Sequence, residues 1–199
     1  MLGLLCPSDA RWTERAKTEV SRVLVDHAHC EMKAASNALS LSARCIGHPR
    51  VMRALVEVAE EELRHFRQVL DELDRRGLAL GPPEEDWYAA ELRRRVSARR
   101  GATTRDAVVV DRLLVGALIE ARSCERFKLL RDALAADDPA LSAFYGELLA
   151  AEARHHRTMT ELASEVAGDD ALVRVRLAEV AAIEASVVRE LPCEPTIHG

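Results

Sequence analysis

The chain has 199 residues and a formal net charge of −5, and aromatic residues make up only 4% of it. This length suits one domain with a substantial core, and the acidic balance excludes a protein coated in positive charge. Alanine, leucine, glutamate and arginine dominate, which favours an all-α fold over a sheet. Five cysteines without disulfide or zinc spacing, and no apolar run as long as a membrane span, indicate a cytoplasmic protein with reduced thiols and no membrane contact.

Glycines and prolines divide the chain into helical segments. A short helix around Trp12 comes first, and a charged crossover helix is expected over 84–100. Four long helices are predicted over about 19–46, 50–77, 104–136 and 139–167, and an extra helix over about 169–191. We therefore expect a single four-helix-bundle domain spanning 1–199, in which the tail from Pro192 onward has no assigned place.

Two copies of a Glu-x-x-His pattern lie at equivalent places in the two halves. Glu62 and His65 form the first copy, and Glu152 and His155 form the second, 90 residues later. Each copy follows an upstream glutamate, Glu31 or Glu120, by about thirty residues. Residues three apart share one face of a helix, so this arrangement predicts a duplicated helix pair that holds two metal ions at the centre of a bundle.

One isolated Glu-x-x-His copy usually indicates only a solvated helix face. The neighbours of these glutamates decide between that interpretation and a buried site. Side chains one and two turns from Glu31, Glu62 and Glu152 are apolar, aromatic or histidine, whereas Glu61 has charged neighbours and is expected on a solvated face. Each unpaired buried carboxylate costs several kcal/mol. Two divalent cations would supply the missing charge. Oxygen ligands with one imidazole each suit iron or manganese better than structural zinc, and iron is the first choice.

The ligand on the third long helix has two candidates. Glu120 precedes Glu152 by 32 residues, close to the 31 that separate Glu31 from Glu62, whereas Glu125 precedes it by 27. Spacing and an apolar face favour Glu120, and Glu125 stays open. The predicted metal ligands are thus Glu31, Glu62, His65, Glu120, Glu152 and His155, with no further catalytic residue.

Two weaker signals accompany this set. His27, one turn before Glu31, either orients a metal ligand through a hydrogen bond or is an ordinary core histidine. The basic run in the crossover segment, preceded by Trp87 and Tyr88, is either an RNA-binding edge with aromatic platforms or a solvated helix. Its candidate RNA-binding residues are Arg93, Arg94, Arg95, Arg99 and Arg100.

Four segments, 26–36, 61–66, 119–127 and 152–155, resemble the tRNA isopentenyladenosine hydroxylases of the MiaE type. The resemblance implies a ferritin-like fold with a non-haem di-iron centre. It implies a monooxygenase that uses dioxygen, and electrons from an external reductase or electron-transfer protein, to hydroxylate the isopentenyl group of a hypermodified adenosine. That adenosine lies beside the tRNA anticodon.

Other functions remain open at this point. A ferritin-like oxidase or peroxidase acting on a small molecule is the alternative enzyme, and an iron-binding protein is the alternative without catalysis. A monomer or small homo-oligomer is expected. Such a state would count against an iron-storage protein, because storage proteins assemble into shells. The segment 196–199 is only loosely similar to the family's tail, and nothing is inferred for it.

Overall fold

The computed structural model describes residues 2–83, 86–98 and 104–198. Within these ranges the chain forms seven α-helices and no strand, which confirms the predicted all-α fold. The helices are α1 (Ala10–Thr18), α2 (Val20–Ser42), α3 (Pro49–Arg75), α4 (Trp87–Ala98), α5 (Arg105–Leu134), α6 (Pro139–Ala167) and α7 (Asp170–Glu190). Helices α2, α3, α5 and α6 make the four-helix bundle.

Local sequence signals explain where the bundle helices begin and end. Pro49 and Pro139 occupy the first turns of α3 and α6, where a missing backbone N–H leaves no hydrogen bond unmade. The side chain of Thr104 accepts a hydrogen bond from a first-turn amide of α5, and Asp138 does the same for α6. Gly168 ends α6 in the left-handed conformation, with φ of 65°.

The first bundle helix ends earlier than the sequence predicts. Helix α2 stops at Ser42 instead of reaching Ile46. Beyond that point the amide of Arg44 bonds to the carbonyl of Leu41, and the amide of Cys45 bonds to that of Ser42. These bonds to the third preceding residue tighten the chain and leave Ile46 exposed before Pro49 restarts a helix.

The bundle core consists of two apolar clusters separated by a polar layer. Helices α2 and α3 pack together along their length, as do α5 and α6. One cluster includes Leu24, Val69, Phe127 and Leu148, and the other includes Ala38, Val58, Leu118 and Met159. On each helix the glutamate of interest lies between its members of the two clusters, so the fold places four carboxylates at one level.

The remaining helices cover the bundle. Helix α4 packs against α5 and α7, and α1 packs against α5 and α2. The outer parts of the predicted crossover helix, 84–85 and 99–100, lie outside the described residues. Among the helices that the structure describes, none combines the length and apolar character needed to cross a membrane.

Candidate metal centre

Six buried side chains meet in the polar layer, and none of them is more than 6% exposed. They are Glu31, Glu62, His65, Glu120, Glu152 and His155. They form two groups of four, and within each group one ligand atom per residue lies within 4.8 Å of all the others. Glu62 and Glu152 belong to both groups. Each group then adds one imidazole and one further carboxylate.

The first group is centred on Nδ1 of His65. This atom lies 3.2 Å from Oε2 of Glu62, 3.5 Å from Oε2 of Glu31 and 3.6 Å from Oε1 of Glu152. One imidazole nitrogen thus faces carboxylates from three helices. The second group repeats the pattern with His155 and Glu120.

Several atoms of the cluster are buried without a hydrogen-bond partner, among them Oε1 of Glu62, Oε1 of Glu152 and Nδ1 of His155. Nδ1 of His155 is 2.8 Å from Oε1 of Glu62, yet the two atoms lack the alignment of a hydrogen bond. Leaving such groups unpaired is costly. Lone pairs aimed at a common point are the geometry of a metal-binding site, so the donor set fits divalent cations.

Without a cation the carboxylates and imidazoles must share protons. Burial, and then the charges of Glu120 and Glu62, raise the pKa of Glu152 well above its usual range. Burial opposes ionisation of Glu31, but hydrogen bonds from His27 and His65 outweigh it and lower its pKa to about 2. Burial also disfavours protonated His65, yet hydrogen bonds to Glu31 and Glu62 raise its pKa to about 10. A metal must therefore displace protons as it binds.

Glu61, expected on a solvated face, is instead part of the site. Nε2 of His155 donates to Oε2 of Glu61 over 3.0 Å, because a carboxylate can only accept. Arg154 donates to the other oxygen of Glu61 at 2.7 Å. This contact fixes the tautomer of His155 that leaves Nδ1 free to ligate a metal. The neighbours of Glu61 on its own helix gave no sign of it, because His155 arrives from α6.

His27 makes a similar outer contact on the opposite side of the cluster. It is fully buried, and its Nε2 donates to Oε1 of Glu31 over 2.8 Å. Its ring stacks on Tyr145 and lies against Phe127. The histidine is thus held by aromatic packing in an orientation that directs one carboxylate oxygen.

The two candidates on α5 point to different places. Glu120 lies in the six-residue cluster, whereas Glu125 accepts hydrogen bonds from Ser8 Oγ, at 2.8 Å, and from Arg122. Arg122 is fully buried and also donates to Oε1 of Glu184 at 2.7 Å. We call Arg122, Glu125, Arg126 and Glu184 the arginine cluster. It is separate from the candidate metal ligands.

A cavity of about 170 Å³ connects the candidate metal ligands to the surface. Its inner part reaches all four ligand carboxylates, and its walls come from α2, α4, α5 and α6. This volume is roughly ten times what one water molecule needs, so the cavity admits an organic group. Its exposed or half-exposed lining residues include Lys33, Asn37, Arg93, Ser97 and Arg112.

The basic residues predicted for RNA binding have different environments. Arg94 pairs with Glu91, and Arg95 pairs with both Glu91 and Glu190, so their charges are compensated. Arg93 lines the outer part of the cavity. Arg99 and Arg100 lie outside the described residues.

The two aromatic residues before this basic run also differ. Trp87 is 58% exposed, but Tyr88 is fully buried and donates a hydrogen bond to Glu184. The expectation of an aromatic base platform is therefore wrong for Tyr88, because its ring belongs to the core.

Comparison with known proteins identifies the family of this chain. A family model described as tRNA-(MS[2]IO[6]A)-hydroxylase (MiaE) matches residues 2–199. The chain belongs to the MiaE family. A curated MiaE-family relative from Pseudomonas putida, named tRNA 2-(methylsulfanyl)-N(6)-isopentenyladenosine(37) hydroxylase, is 41% identical over 194 residues, which are 98% of this chain and 90% of that protein.

Two further relatives extend the comparison. A protein of the same name from Salmonella typhimurium is 28% identical over 222 residues, covering 87% of this chain and 79% of its own length. A solved structure titled "Protein 43 with aldehyde deformylating oxygenase activity from Synechococcus" superposes with a TM-score of 0.86 and 37% identity. That match covers 98% of this chain and 95% of the solved one. The expected ferritin-like fold is confirmed.

Proposed function

We propose that this protein hydroxylates the isopentenyl side chain of a hypermodified adenosine next to the tRNA anticodon, using two iron ions and dioxygen. The observation that carries this proposal is the cluster of four carboxylates and two imidazoles at the inner end of a cavity open to solvent. Membership of the MiaE family supplies the substrate class.

We assign one iron to Glu31 and His65 and the other to Glu120 and His155, with Glu62 and Glu152 shared between them. Four carboxylates and two neutral imidazoles against two dications leave the site near neutrality. Oxygen ligands with one imidazole per metal, and no thiolate, suit iron. His27 and Glu61 are not ligands in this assignment. Their hydrogen bonds orient Glu31 and His155, respectively.

When bound, the iron ions supply the chemistry that activates dioxygen. One atom of dioxygen is inserted into a C–H bond to give C–OH, and the other leaves as water. Two electrons and two protons must therefore come from outside. We propose an external reductase or electron-transfer protein as their source. The protein's own part is to hold the side chain against the cluster, beside the apolar walls of the cavity, so that the bound substrate displaces water from it.

The outer edge of the cavity suits a polyanionic substrate. Lys33, Arg93 and Arg112 line it, although the whole chain carries a net charge of −5. Among the described residues Arg93 has no ion-paired partner, in contrast to Arg94 and Arg95. We propose that Arg93 contacts the RNA backbone, and that Arg94 and Arg95 contribute little.

The decisive test is the nucleoside composition of tRNA. Cells without this protein should accumulate the unhydroxylated nucleoside, and the wild-type chain should restore the form that carries one additional oxygen atom. A Glu62→Gln variant expressed at the same level should not restore it. An unchanged tRNA nucleoside profile in cells without the protein, measured by mass spectrometry, would contradict the proposal.

The RNA contact has its own test with a matched control. Arg93→Gln should weaken binding of an anticodon stem-loop RNA and reduce the slope of log affinity against log salt by about 1. Arg94→Gln, which removes a charge already paired with Glu91, should leave the slope nearly unchanged. Equal slopes for both variants would refute the assignment of Arg93.

A second candidate activity comes from the Synechococcus structure, whose title names aldehyde deformylating oxygenase activity. A small neutral aldehyde could enter the same cavity, but it would make no use of a cationic outer edge. Release of formate from such an aldehyde by the iron-loaded protein, without hydroxylation of tRNA, would favour this activity. Iron binding without either reaction would favour a non-enzymatic role.

A further inference from the structure

The cavity has an open end and a closed end. On α2 the lining runs from buried Cys30 past exposed Asn37 to buried Leu41, and on α5 it runs from buried Ser123 to exposed Arg112. Exposed Arg93 and Ser97 line it from α4, so the cavity opens where Asn37, Arg93, Ser97 and Arg112 are exposed. Glu31 follows Cys30 directly, so the candidate metal ligands lie near the closed end. A side chain that enters from the open end therefore meets the ligand carboxylates and the closed end with its leading atoms.

The closed end is lined in part by His198, which belongs to the C-terminal segment 196–198 that had no predicted place. The amide of Ile197 donates to Asp26 at 2.6 Å. The carbonyl of Thr196 accepts from the indole of Trp12, at 2.9 Å, and from Arg126, at 3.0 Å. These contacts fix the segment against α1, α2 and α5, and they leave His198 lining the cavity.

His198 makes contacts with both of its ring nitrogens. Nε2 lies 3.1 Å from Oγ of Ser123, and Nδ1 lies 3.6 Å from Sγ of Cys30 and 4.0 Å from Asp86. The ring stacks on Tyr88, with centroids 5.4 Å apart. A side chain held on four sides has a fixed orientation, and the hydroxyl of Ser123 is fixed through it.

Ser123 lies three residues after Glu120 and therefore on the same face of α5. A serine hydroxyl offers one donor and two acceptor lone pairs. His198 engages only part of this capacity, so Ser123 can form a further hydrogen bond towards the cavity. The walls between this point and the open end include Ala34, Ala38 and Val115, which are apolar.

An isopentenyl group is apolar and offers no hydrogen bond to Ser123, whereas its hydroxylated product does. We propose that Ser123 binds the new hydroxyl group of the product, with His198 as the positioning residue that orients Ser123. This inference rests on the proposed tRNA hydroxylation. It implies that the terminal methyl group nearer Ser123 is the one that is hydroxylated.

The test compares two anticodon stem-loop RNAs that differ only in this hydroxyl group. Binding is measured with the iron-loaded protein without reductant, so that no turnover occurs, and again with the metal-free protein. Wild type should bind the hydroxylated RNA about fivefold more tightly, which corresponds to one net hydrogen bond. Ser123→Ala should bring the ratio close to one and leave the affinity for the unhydroxylated RNA unchanged.

Two other variants give the measurement its controls. Ser97→Ala, at the exposed edge of the same cavity, should keep the wild-type ratio. His198→Gln should lower the ratio, and during turnover both Ser123→Ala and His198→Gln should hydroxylate the two methyl groups less selectively. Docking of the tail is followed by tryptophan fluorescence in a Trp87→Phe background. Trp12, which contacts Thr196, is then the one remaining tryptophan.

The outcomes distinguish failure of the role of Ser123 from failure of the proposed function. If wild type binds both RNAs but the ratio is the same in Ser123→Ala, the role of Ser123 is refuted and the proposed function stands. If wild type binds neither RNA, the proposed function fails, and this inference fails with it. A His198→Gln variant with a docked tail and the wild-type ratio refutes the positioning role of His198.

Discussion

Helix α5 carries two buried polar clusters whose charges are balanced in different ways. In the arginine cluster the guanidinium group of Arg122 pairs with two carboxylates, Glu125 and Glu184, and Arg126 donates to Ser8 beside them. The candidate metal centre has four carboxylates and two imidazoles, with no lysine or arginine among its six residues. Glu120 and Arg122 are only two residues apart. One cluster has a permanently charged guanidinium partner, whereas the other has no positive charge beyond the protons that its imidazoles and carboxylates share.

The hydrogen bonding repeats this contrast. Arg122 donates to Ser8, Glu125, Glu184 and the carbonyl of Cys6. In the candidate metal centre three atoms of the predicted ligands are buried without a hydrogen-bond partner, compared with one oxygen of Glu184 in the arginine cluster. Buried polar atoms without partners are rare in folded proteins. Their concentration at one point distinguishes a ligand-binding cluster from a structural one.

Removing a shared carboxylate should have the largest effect. Glu62→Gln takes one ligand from both metal positions at once, so iron content should fall from about two per chain to near zero and hydroxylation should fall more than 100-fold. Iron per chain is measured by elemental analysis. Glu125→Gln, on the same bundle but in the arginine cluster, should keep full iron content. Full iron content in Glu62→Gln would refute the shared role.

Breaking the arginine cluster should affect stability instead of iron. Arg122→Met leaves Glu184 and Glu125 without their guanidinium partner, which should cost about 3–5 kcal/mol of unfolding free energy. Urea unfolding measures this loss. The double variant Arg122→Met with Glu184→Leu should recover part of it, because the fully buried carboxylate of Glu184 is then gone, while Glu125 keeps its hydrogen bonds from Ser8. Similar stability of the single variant and wild type would contradict a structural role for the arginine cluster.

Adding metal should stabilise only a protein whose acidic cluster is intact. Ferrous iron supplied without oxygen, at one hundred times its dissociation constant, should stabilise wild type by about 2.7 kcal/mol. For a chain of this size that corresponds to a rise in melting temperature of roughly 5–10 °C. Glu62→Gln should show little shift. A rise of equal size in both proteins would mean that iron binds elsewhere.

The smallest effect is expected from the outer partner of a ligand. Glu61→Gln keeps a hydrogen-bond acceptor near Nε2 of His155 but loses the charge, so affinity for iron should fall by about tenfold. Competition with a chelator measures the change. Glu60→Gln, its exposed neighbour, is the matched control and should have no effect. An unchanged affinity in Glu61→Gln would remove Glu61 from the site.

The helices and the six clustered residues could be predicted because both follow from periodicity along one chain. Residues three or four apart share a helix face, so the apolar neighbours of Glu31, Glu62 and Glu152 already indicated burial. The duplicated spacing then placed Glu120 at the same level as its partners, and the structure brings it there in preference to Glu125. The roles of these residues as iron ligands remain a prediction.

What could not be predicted depends on contacts between elements distant in the sequence. Glu61 has a charged environment on α3, and only the approach of His155 from α6 makes it a partner. His198 belongs to a segment without periodicity, which side chains from distant helices hold in place. The burial of Arg122 likewise depends on the packing of α7, which brings Glu184 against it.

The duplicated helix pair has a consequence for how the two halves can diverge. Glu62 and Glu152, the shared carboxylates, come from equivalent positions in the two pairs, so the inner ligands are related by an approximate twofold axis. The outer contacts break that symmetry, since His27 supports Glu31 on one side and Glu61 supports His155 on the other. An ancestor with two identical halves would have had two equivalent irons. We therefore expect the two candidate metal positions to differ in affinity, so that one of them is filled first.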